Sequence, residues 1–176
     1  ATAAATLAWT MGEWMGKGKP SMLGAASGAV AGLVAITPSC GSVTPVGALL
    51  MGVVAGAVCA WAVGLKYRFG YDDSLDVVGV HLVGGLVGTL GIGLIASAAA
   101  PTAVAGLFYG GGLGQLGRQT LGALVVLVFA FTVSGALALG VDRLMGFRID
   151  PEHEVSGIDL VVHAETAYDL NALVGG

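Results

Sequence analysis

Charge is scarce in this chain. Asp, Glu, Lys and Arg make up 10% of its 176 residues, against about a quarter in an ordinary soluble domain. That shortage excludes a soluble globular fold, and the 56% apolar content points to an integral membrane protein. The seven Lys and Arg lie outside the long apolar runs or, for Arg143, in the last turn of one, so no face is available for binding nucleic acid. Cysteine is nearly absent as well. Cys40 and Cys59 have no metal-ligand spacing and Cys59 lies within an apolar run, which argues against a disulfide framework or a zinc site and leaves both as small packing residues. The stretch Gly112-Leu113-Gly114-Gln115-Leu116-Gly117 fits a dinucleotide fingerprint by letter, yet no strand precedes it and no strand–helix–strand unit surrounds it. Glycine there suits a flexible or tightly turning loop. His153 and His163 stand among Glu152, Glu154 and Glu165 without a spacing that demands a metal. We expect no cofactor.

Apolar runs and glycine are what the chain has in abundance. Runs at about 21–40, 46–65, 74–100 and 119–146 are long enough to cross a hydrocarbon core of about 30 Å. Before them, residues 1–15 are apolar but too short to span with confidence; with no methionine or basic leader at Ala1, this stretch reads as a truncated helix. The expected organisation is a transmembrane helical bundle over 1–146 and a soluble polar tail over 147–176. Alternating the spans puts Lys17, Lys19, Lys66, Arg68, Arg143 and Arg148 on one side and only Arg118 on the other. This positive-inside bias assigns the Lys-rich connectors and the tail to the cytoplasm, with the connectors at 41–45 and 101–118 facing outward.

Glycine recurs at every fourth residue in several spans: Gly24, Gly28 and Gly32; Gly52 and Gly56; Gly84 and Gly88. That spacing puts small residues on one face and lets backbones approach closely, so a compact bundle is expected. Trp9, Trp14 and Trp61 lie near span ends and read most simply as interface anchors. Asp73 or Ser74 can cap the third full span, and Asp76 falls in its first turn, where a carboxylate is favoured by free N–H groups. Asp76 could also set the field at a pore mouth.

One ionisable side chain lies inside an apolar run. His81 follows Asp72-Asp73-Ser74-Leu75-Asp76-Val77-Val78-Gly79-Val80, roughly 10 Å into the span. A group of this kind in a lipid-crossing helix usually faces a cavity or a partner helix. Its valine and glycine neighbours offer no carboxylate within the following turn, so desolvation favours a neutral imidazole that both donates and accepts. Two readings stand: a bond to a neighbouring helix, or a pathway role handling a small polar molecule or relaying a proton. Ser27 and Thr37 lie on the first full span, where hydroxyls often bond back to a helix carbonyl. Thr37-Pro38 also marks a helix end.

In order along the chain, Gly18-Lys19-Pro20-Ser21 through Ala31-Gly32-Leu33-Val34, Thr37-Pro38-Ser39-Cys40-Gly41, Asp72 to Gly85, Gly157-Ile158-Asp159 and His163-Ala164-Glu165-Thr166-Ala167-Tyr168 resemble the ammonium transporters of the Amt/Mep/Rh type, in particular the bacterial Amt branch. The resemblance implies an all-α integral membrane protein with a partial ammonium-transporter fold: the second inverted repeat, from the end of helix seven to helix eleven, plus the cytoplasmic tail. The family's first half is not covered. His81 matches the second-repeat member of the family's histidine pair, Ser27 and Thr37 its pathway hydroxyls, and Val77 a pore-wall residue; Asp73 and Asp76 would stand at the pore mouth. Gly157, Asp159, His163, Glu165 and Tyr168 fall in the regulatory tail.

The function so implied is ammonium transport, with NH4+ deprotonated and NH3 conducted past paired histidines in a hydrophobic pore. No enzymatic step is needed. The resemblance also implies a homotrimer in the inner (plasma) membrane, multi-pass with a cytoplasmic tail, and regulation by the PII signalling protein. The sequence departs from the family pattern at Ala164 and Leu82, where glycine is usual. An ammonium sensor signalling through its tail is the competing class, and the isolated chain, lacking half a pore, is expected to be inert.

Overall fold

Serine and threonine caps set where the helices start. The computed structural model describes residues 1–165. Helix α1 runs over Thr2–Lys17 and stops at Gly18, whose left-handed φ of 75° turns its N–H onto the Trp14 carbonyl. The Ser21 hydroxyl then accepts the Gly24 N–H at 2.8 Å and starts α2, Met22–Ile36. Glu13 of α1 accepts both the backbone N–H and the hydroxyl of Ser21, at 2.8 and 3.0 Å, which ties the end of α1 to the start of α2. Thr44 caps α3, Pro45–Val63, through the Gly47 N–H at 3.1 Å, with Pro45 in the first turn where it loses no helix bond.

A short helix α4, Leu65–Phe69, extends α3 and ends at Gly70. The next span opens with a π turn, Val78–Leu82, that runs directly into α5, Val83–Ile95. A 3-10 turn at Leu107–Tyr109 precedes α6, Gly114–Met145. The tail adds α7, Pro151–Ser156, and a second π turn at Asp159–His163. Among the described residues, three helical stretches are long and apolar enough to cross a membrane: Pro45–Phe69, Val78–Ile95 and Gly114–Met145; α2 is apolar but shorter.

Several bounds differ from the expected runs. The first full span ends as helix at Ile36 and continues as turns to Ser42, because Pro38 cannot continue the ladder. The last helix begins at Gly114, ahead of the apolar run that starts near 119. Gln115, Arg118 and Gln119 are competent helix formers, and polarity marks where lipid ends, not where the helix does.

The glycine spacing does what close packing requires. Gly24, Gly28, Gly32, Gly52, Gly56, Gly84 and Gly88 are all buried. A methyl on Gly28 would stand 2.8 Å from Trp9 Cβ, and one on Gly32 2.7 Å from Thr2 Cα; Gly52 and Gly56 face the backbones of Ala1 and Ala5. So α1 lies against two flat glycine faces, one on α2 and one on α3. Gly88 of α5 faces the Ala35 carbonyl of α2 in the same manner. Trp9 corrects the sequence reading. It is 5% exposed and forms a core cluster with Ala31, Cys59 and Val80, because the facing glycines leave room for an indole between helices. Trp14 and Trp61 remain exposed, as anchors would be, and Cys40 is exposed while Cys59 is buried.

The two connectors assigned to the outer side meet at one end of the bundle. Ser97 N–H donates to the Ser42 carbonyl at 2.9 Å, Thr102 N–H to the Gly41 carbonyl at 3.0 Å, and the Thr102 hydroxyl to that of Ser42 at 3.1 Å. Gly106 N–H reaches the Ala96 carbonyl at 2.8 Å, so the glycine-rich loop is folded onto the end of α5. The chain divides into two compact units, Ala1–Val126 and a second from Leu127 onward. In the second unit the rest of α6 leads to Gly146 at φ 76°, α7 starts with Pro151, and Arg148 pairs with Glu154 at 3.9 Å.

Candidate functional site

His81 sits in the π turn, not in regular α-helix. Turns of this width cluster at functional sites in helices. The turn is fixed by what it buries: Gly79 lies against Val63, where an added Cβ would come within 2.9 Å of backbone, and the Val80 carbonyl takes the Cys59 thiol at 3.9 Å. With Gly79 and Val80 turned inward, Val77, Val78, His81 and Leu82 fall together on an exposed face. That face continues to Gly85, beside which an added side chain would meet open space. His81 and Val77 are thus brought together, on the uncovered side of the span.

The residues ahead of the turn hold its first N–H groups. Asp73 accepts from Val77 N–H at 2.8 Å and Val78 N–H at 3.0 Å, the capping role expected of it. Asp76 does not lie in the first helical turn, as its position suggested. It stands just before the helix at a left-handed φ of 57°, and its carboxylate takes the Lys66 ammonium at 2.6 Å. The same ammonium donates to the Asp73 carbonyl at 2.9 Å. Both side chains of this ion pair are largely shielded, at 14% and 22% exposure. Lys66 had no part in the sequence reading beyond its charge. The available signal was a lone lysine at the end of one span facing three aspartates at the start of the next.

Ser27 is half-buried and lines a cleft of about 650 Å³ between α1, α2 and α3, whose walls include Trp9, Glu13, Trp61 and Asp76. Ser27 and Asp76 therefore share one cleft, while His81, Val77 and Thr37 stand outside it. Thr37 is exposed, and its hydroxyl donates back to the Leu33 carbonyl at 2.7 Å, so it satisfies itself on its own helix. In the tail, Gly157 at φ 100° ends α7 with its N–H on the His153 carbonyl at 3.1 Å. Asp159 opens the second π turn, and its carbonyl accepts the Glu165 N–H at 3.2 Å. His163 and Glu165 are exposed. Tyr168 lies outside the described residues.

These features define an all-α membrane protein whose helices close on glycine faces and whose third apolar span opens on a π turn carrying an imidazole. Its family follows from comparison. The chain belongs to the Ammonium Transporter Family, whose model matches residues 1–168. An ammonium transporter of Mycobacterium bovis is 58% identical over 99% of this chain and 38% of its own length. The crystal structure of Candida albicans Mep2 superposes with a TM-score of 0.78 at 32% identity, over 86% of this chain and 35% of that one. A structure described as a sensor Amt protein gives a TM-score of 0.79 at 30% identity, over 94% and 40%. The chain thus spans about two fifths of the relatives it matches, and its fold is the ammonium-transporter fold in part.

Proposed function

We propose that the complete protein carries ammonium across the membrane and that His81 lines its conduit. The observation behind this reading is the uncovered face bearing Val77, Val78, His81 and Leu82, on which an ionisable side chain stands among apolar ones at the start of an apolar span. An imidazole left unsealed in the opening turn of an apolar span needs a second wall, and a second wall around it makes a narrow apolar passage. Carrying NH4+ whole through such a passage would forfeit its hydration, whereas neutral NH3 crosses at far smaller cost. The cation therefore gives up its proton at entry, NH3 passes the imidazole, which both donates and accepts, and the proton crosses separately by relay along the paired imidazoles. A histidine from the other half of the protein completes the pair.

In this reading Val77 forms wall, Ser27 and Thr37 offer hydroxyls along the path, and Asp73 and Asp76 shape the inner mouth. The protein is a homotrimer in the inner membrane, with its tail in the cytoplasm presenting Gly157, Asp159, His163, Glu165 and Tyr168 to subunits and to PII. Methylammonium uptake by cells carrying the complete protein tests the assignment. His81→Ala should lower uptake or change selectivity; unchanged uptake with unchanged selectivity rejects the role. The likeness to a sensor Amt protein favours a second reading, in which occupancy of the same site is signalled through the tail. Transport without any ligand-dependent response from a bound partner excludes it.

A further inference from the structure

We infer that Lys66 is a positioning residue for His81, acting through the loop that starts the span carrying it. This inference rests on the reading of His81 as a conduit residue and adds what aims it. The Lys66 ammonium makes two bonds, to the Asp76 carboxylate at 2.6 Å and to the Asp73 carbonyl at 2.9 Å. Those two residues are the ones that launch the π turn. The Asp73 carboxylate takes the N–H groups of Val77 and Val78, and the Asp76 carbonyl takes the N–H of Val80 at 2.8 Å. Asp76 holds a left-handed φ of 57°, a conformation that a residue without glycine's freedom keeps only when its surroundings enforce it.

The bearing of His81 depends on this launch. Each helical residue rotates the chain by about 100°, so slipping the start of the span by one residue would turn the span as a body and carry the imidazole from the uncovered side toward the packed side. The packed side cannot accept it. Gly79 abuts Val63 with no room for a side chain, and Val80 fills the core beside Trp9 and Cys59. The span thus has one workable phase, and the Lys66 clasp selects it from outside, little more than one turn before the imidazole. Lys66 is carried by α4, the continuation of α3, so the clasp also ties the phase of one span to the end of another.

The test uses the complete protein in liposomes, with ammonium-driven current and the 15N resonances of the His81 ring as separate readouts. Lys66→Met should shift the ring resonances and lower maximal current roughly tenfold while the half-saturating concentration stays near its parent value. Lys66→Arg, which can hold both oxygens, should restore both. If Lys66→Met fails to assemble, Asp76→Asn removes the ion pair while preserving shape and should move the same resonances. Parent-like resonances in these variants overturn the inference, whether or not current falls. A ring that moves in Lys66→Met while His81→Ala leaves transport intact would refute the conduit assignment and spare the positioning role.

Discussion

Placing one methyl on Gly56 tests the packing argument at its most constrained point. Gly56 is buried on α3, and an added Cβ would stand 2.9 Å from both the carbonyl carbon and the Cα of Ala5, closer still to the Ala5 oxygen. All three are backbone atoms of α1, so no side chain can rotate out of the way. Overpacking a filled site costs about 1–3 kcal/mol, while exchanging glycine for alanine in a helix returns up to about 1 kcal/mol. With the full propensity gain the net expectation for Gly56→Ala is a loss of up to about 2 kcal/mol, and 1.4 kcal/mol is about tenfold in the unfolding equilibrium. Gly122 on α6 supplies the control, since a methyl there meets nothing within 4 Å; Gly122→Ala should keep the propensity gain and be neutral or stabilising. Unfolding of the purified protein in mixed detergent micelles, followed by far-UV circular dichroism, reads both. The two substitutions should move the midpoint in opposite directions or differ clearly in size. Equal midpoints, or a stabilised Gly56→Ala, would refute the claim that backbone contact holds α1 against α3.

Two further measurements probe local features. Cys40 is exposed and Cys59 fully buried, so a membrane-permeant maleimide should label Cys40 in the folded protein and Cys59 only after denaturation; early labelling of Cys59 would contradict the core. Asp73→Ala removes the acceptor for two helix-starting N–H groups and should cost about 1 kcal/mol, seen as faster amide hydrogen exchange at Val77 and Val78. Undiminished protection at those two amides would deny Asp73 its capping role.

The sequence was most informative where a single residue type leaves only one physical use. Gly28 shares a face with Gly32, and Gly52 with Gly56, by spacing alone, and the structure uses both faces for close contact with α1. His81 stood out because an ionisable group in an apolar run demands an explanation, and the expected third span does carry it. Trp9 was misjudged because an indole suits a lipid interface and a helix seam equally well, and only the opposing glycines decide between them. Asp76 was placed inside the helix because local capping rules count residues along one segment; its actual position depends on Lys66, ten residues earlier, which no local rule sees. The π turn left no mark in periodicity, since widening one turn in a run of valine and glycine changes no pattern of polarity.

Ala5 lies between two glycine faces, its methyl against Gly32 and its backbone against Gly56. One residue therefore fixes two interhelical distances, one through its methyl and one through its backbone. A bulkier side chain there would pry α1 from α2 and drag along the backbone that α3 rests on, so the tolerance of the seam narrows to one position.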